Sequence, residues 1–62
     1  MSYREIRIID CMIEHGDAFE RGIASLYSVA TAPQRQRVRE AFRPEWECYE
    51  KLAEETPPEP HP

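Results

Sequence analysis

At 62 residues the chain has room for one domain at most, and a core this small offsets little more than the entropy of ordering it. A formal net charge of −4 and a pI near 5.0 argue against a general nucleic-acid binder. The apolar runs are too short and too interrupted to span a membrane, and no apolar block of a signal peptide follows Met1, so a cytoplasmic location is expected.

Most of the aliphatic side chains lie between Ser2 and Ala30. Ile6, Ile9, Met12, Ile13, Phe19, Ile23, Leu26, Tyr27 and Ala30 recur at spacings of three and four, the pattern of one buried helical face. Arg4, Arg7, Asp10, Glu14, Asp17 and Arg21 occupy the other face. Ser2 and Glu5 have capping-box spacing, which starts the helix near Met1. Gly16, Asp17 and Glu20 offer a helix end and a fresh start. However, Ile9, Gly16, Ile23 and Ala30 share one heptad position, and Met12, Phe19 and Leu26 share another. That retained phase predicts one continuous helix over 2–30, with a break at Gly16 as the alternative. Ala18, Gly22 and Ser25 would let a second helix approach closely.

Thr31 and Gln34 again have capping-box spacing, and Pro33 falls in a first turn where its missing N–H costs nothing. A second helix over about 32–55 follows after a very short connection, antiparallel to the first. Pro44 removes one hydrogen bond and pushes against the carbonyl of Glu40, so a kink or short break is expected there. Val38, Ala41, Phe42, Trp46, Tyr49, Leu52 and Ala53 form the apolar face. Residues 1–55 thus read as a single helical domain, and the Pro-rich stretch 56–62 as a disordered tail.

The fold class expected is all-α: an antiparallel helical hairpin, kinked near Pro44, paired with a second copy into a four-helix dimer. A three-helix mini-bundle broken at Gly16 is the alternative. Ile9, Met12, Phe19, Ile23 and Leu26 are assigned to the core and dimer seam.

Charge is segregated along the second helix, with four arginines against Glu40 between Gln34 and Arg43, then five glutamates against Lys51 between Glu45 and Glu55. In a hairpin, Arg43 would reach Glu20 or Asp17. Surplus aromatic surface on a small chain points to a protein partner, with Phe42, Trp46 and Tyr49 as anchors and Arg35, Arg37 and Arg39 giving orientation.

Enzyme chemistry finds little support. Cys11, His15 and Cys48 permit a three-ligand zinc site to be drawn, but no convincing fourth ligand exists, and no phosphate loop or paired-carboxylate site is present. No cofactor or metal is therefore assigned, and both cysteines are read as reduced thiols. The function expected is a non-enzymatic protein-binding module, a regulator or inhibitor docking on a larger protein, comparable in build to small phage- or plasmid-encoded regulators. One alternative is nucleic-acid binding through the ridge Arg35, Arg39 and Arg43, opposed by the acidic half of the same helix. The other is a small structural or adaptor subunit of a larger assembly.

Overall fold

The computed structural model describes residues 1–55, and over these the protein is all-helical. Helix α1 spans Tyr3–His15, α2 Ala18–Val29, α3 Ala32–Ala41 and α4 Arg43–Glu55. The Pro-rich tail expected at 56–62 lies outside the described residues.

Three of the four helices open on the same local chemistry, a polar side chain and the residue three places on satisfying each other's backbone N–H. Ser2 Oγ accepts from the Glu5 N–H at 3.2 Å, Asp17 Oδ1 from the Glu20 N–H at 3.0 Å, and Thr31 Oγ1 from the Gln34 N–H at 3.4 Å. The reciprocal bonds to Glu5, Glu20 and Gln34 are also made. Pro33 lies in the first turn of α3.

The continuous helix predicted over 2–30 is not formed. The Gly16 N–H still donates to the Met12 carbonyl, but Gly16 itself is extended at φ −83°, ψ 162°, and Asp17 caps a new helix. The heptad phase pointed the other way because it registers apolar spacing alone. The Asp17–Glu20 capping box satisfies the N–H groups of Asp17 and Glu20 that the break removes from a continuous ladder, so the chain can turn here without leaving them unpaired.

The second long helix is also divided. Phe42, at φ −116°, ψ 41°, separates α3 from α4. Its N–H donates to the Val38 carbonyl and its own carbonyl accepts from Trp46, so the chain passes from one helix to the next through a single residue. Pro44 falls in the first turn of α4, where it has no N–H to lose. The four helices therefore belong to one chain, in place of the two per chain expected.

Each helix packs on its neighbour in sequence, and α4 returns to α1. The core collects Ile8, Ile9, Cys11 and Met12 from α1, Ile23, Ala24 and Tyr27 from α2, Val38 from α3, and Trp46, Tyr49 and Ala53 from α4, with Phe42 and Leu52 packed against it. Arg4 bridges to Glu50 at 3.1 Å and Glu54 at 2.7 Å, joining α1 to α4 at an exposed seam where such pairs contribute little.

Candidate protein-binding surface

Tyr27 links all four helices. Fully buried on α2, it donates its hydroxyl proton to the Glu5 carboxylate of α1 and accepts from the Arg39 guanidinium of α3 at 2.7 Å. Its ring lies 4.8 Å from that of Trp46 on α4. Arg35 and Arg39 hold their guanidinium carbons 5.7 and 5.9 Å from the Tyr27 ring centroid, and Arg35 Nε donates to the Tyr27 carbonyl at 3.4 Å. The hydrogen bond from Tyr27 holds the Glu5 carboxyl below its usual range, against the opposing effect of burial. Burial, then the same bond to Glu5, raises the Tyr27 phenol.

Tyr49 makes a parallel arrangement, donating to Glu20 Oε1 at 3.0 Å. Burial, reinforced by that carboxylate, pushes its phenol up to about 12 from an ordinary 10.0. The fold holds the neutral phenol, so the stability this contributes is complete below pH 10.0 and is lost as pH rises towards 12. The urea midpoint should accordingly fall across that window, and Tyr49→Phe should flatten part of the fall. An unchanged alkaline profile in the variant would contradict the linkage.

These contacts relocate several residues assigned from the sequence. Trp46 and Tyr49, expected as partner anchors, are 7% and 6% exposed and lie in the chain's own core. Arg35 and Arg39, expected to orient a partner, are turned onto Tyr27. Among the described residues Arg43 makes no ion pair with Asp17 or Glu20; Glu20 serves Asp17 and Tyr49 instead. Ile9, Met12 and Ile23 are buried, whereas Phe19 and Leu26 are 57% and 49% exposed.

What remains at the surface is an apolar face shared by α2 and α3. Phe19, Gly22, Leu26 and Val29 follow one another at spacings of three, four and three along α2. Beside them a groove of about 380 Å³ runs between the helices, lined by Leu26, Val29, Ala30, Val38, Ala41 and Phe42, with Gln34 and Arg37 also in its wall. The Phe19 ring meets Phe42 edge-on at 5.7 Å and extends the apolar surface past the groove. Arg37 is the sequence-assigned arginine that this surface retains. Val29, 82% exposed, was not singled out from the sequence. Its signal was present: α2 and its C-cap carry two adjacent apolar rows, Ile23, Tyr27 and Ala30 facing the core and Phe19, Leu26 and Val29 beside them, and one small core can cover only the first.

A second exposed row on α1, Ile6 and Ile13, is interrupted by Asp10 and makes no continuous patch. Cys11 is buried, and burial raises its thiol; Cys48 is exposed. Among the described residues no three His, Cys, Asp or Glu side chains are grouped to hold a metal ion, so Cys11, His15 and Cys48 do not converge. No helix among them is long and apolar enough to cross a membrane. No protein-family model matches the chain, and neither a curated protein nor a solved structure was found that matches it.

Proposed function

We propose that this protein is a non-enzymatic protein-binding module whose contact surface is the α2–α3 face. The observation that carries the reading is the continuity of Phe19, Leu26 and Val29 with the adjoining groove. An exposed apolar patch, bordered by polar Gln34 and the cation of Arg37, has the composition of an interface core and rim. A regulator or inhibitor role fits such a face, which would act on another protein by covering part of its surface. Of the aromatic anchors Phe42 is kept, and Phe19 takes the place of Trp46 and Tyr49.

The test is a photo-crosslinking amino acid placed at Val29 in the expressing cell, with Glu47 on α4 as an exposed control position. A discrete protein adduct from position 29, lost when Leu26→Glu is added and absent from position 47, is the expected result. If position 29 gives no adduct to any protein chain, the α2–α3 face is not a binding surface.

A further inference from the structure

Resting on the reading of the α2–α3 face as the contact surface, we infer that the chain seated on it is a second copy, with the two α2 helices antiparallel about a two-fold axis. The pattern of the exposed row carries this. In an isologous contact every residue pairs with a fixed counterpart, and the register here is set by size. Placing Gly22 opposite the partner's Leu26 also places Phe19 opposite the partner's Val29. Each layer then joins one large side chain to a smaller one, and each occurs twice.

The structure provides room for the knob. A Cβ built on Gly22 meets nothing within 4 Å, so the surface above it is open and leaves room for the partner's Leu26, which is 49% exposed. Ala18 and Ser25 on the flank keep the helices close, and antiparallel helix dipoles favour the arrangement.

Charge agrees with the register. Arg37 stands in the groove wall beside Leu26, Val29 and Ala30, towards the C-terminal end of α2, exposed and without an ion pair among the described residues. Asp17 caps the opposite end, its carboxylate engaged by the Glu20 backbone. Antiparallel pairing brings Arg37 of each copy to the partner's Asp17; a parallel pairing would put like charges together. The contact is salt-sensitive on this account.

Sedimentation equilibrium of the full chain under reductant tests the proposal. A reversible dimer is expected, weakened at least tenfold by Gly22→Gln, which fills that space, and by Arg37→Glu, with the helical circular dichroism of both variants retained. Geometry is read separately in a Cys48→Ser background. Gly22→Cys and Leu26→Cys chains should form a disulfide with each other when mixed and little with themselves. A monomer at every concentration, an undiminished dimer in Gly22→Gln, or a Leu26→Cys chain that couples to itself would each overturn the proposal. A monomer whose position 29 still crosslinks to a different protein removes the second copy and leaves the binding face. A monomer with no adduct removes both.

Discussion

Trp46→Ala should strip this chain of most of its stability. The side chain is 7% exposed, and its ring lies against Tyr27, which itself bonds to Glu5 of α1 and Arg39 of α3. Truncating a buried tryptophan costs about 3–5 kcal/mol, from lost transfer free energy and the cavity left behind. A domain of this size holds on the order of 3–8 kcal/mol in total. The loss therefore consumes most of the margin, and the variant should show reduced helical circular dichroism and a melt far below that of the parent. Leu26→Ala, at a position 49% exposed, should retain the melt of the parent chain when both are measured dilute enough to be monomeric. Should Trp46→Ala melt like the parent while Leu26→Ala does not, the inside and outside assigned to this fold would be reversed.

The contrast between Trp46 and Leu26 shows where sequence reasoning reached its limit. Helix formation, the capping boxes at Ser2 and Thr31, the place of Pro33 and a disturbance near Pro44 are local properties, set by side chains within four residues of one another, and all of these can be read directly. Burial is different, because it depends on which face of each helix the other helices meet. Treating 2–30 as one helix put Ile6, Ile13, Phe19 and Leu26 on the same buried face as Ile9 and Ile23. Once Gly16 and Asp17 turn the chain, α1 buries Ile8, Ile9 and Met12 and α2 buries Ile23, Ala24 and Tyr27. Phe19 and Leu26 are then left outside.

The same misplacement governed the candidate site. With only one long helix available to cover them, Phe42, Trp46 and Tyr49 looked like surplus surface. Four short helices enclose Trp46 and Tyr49 instead, and the surplus passes to α2. The arginines followed the same logic. Their spacing of four was visible, but that Arg35 and Arg39 would flank a buried tyrosine could be known only from the packing of α3 on α2.

The turn on which this depends can be probed by making one chemical change at two glycines. Gly16→Ala should destabilise the fold by about 2–3 kcal/mol, within the range for forcing extra atoms into a closed site. A Cβ at Gly16 would collide with the Met12 carbonyl oxygen and come to 2.7 Å from Glu20 Cβ. Both neighbours are fixed, the first as part of the α1 backbone and the second in the first turn of α2, so relief requires the two helices to separate. The backbone at φ −83° is open to any residue, and the requirement for glycine is one of space alone. Gly22→Ala, in the middle of α2 with nothing near its Cβ, should instead stabilise the monomer by about 1 kcal/mol through helix propensity. Urea unfolding at a concentration low enough to keep the chain monomeric measures both. Opposite signs would place the turn between His15 and Ala18. If both alanines stabilise the protein, the chain runs through Gly16 as one helix, α1 loses its return onto α2, and the exposed row of Phe19, Leu26 and Val29 goes back to the buried face.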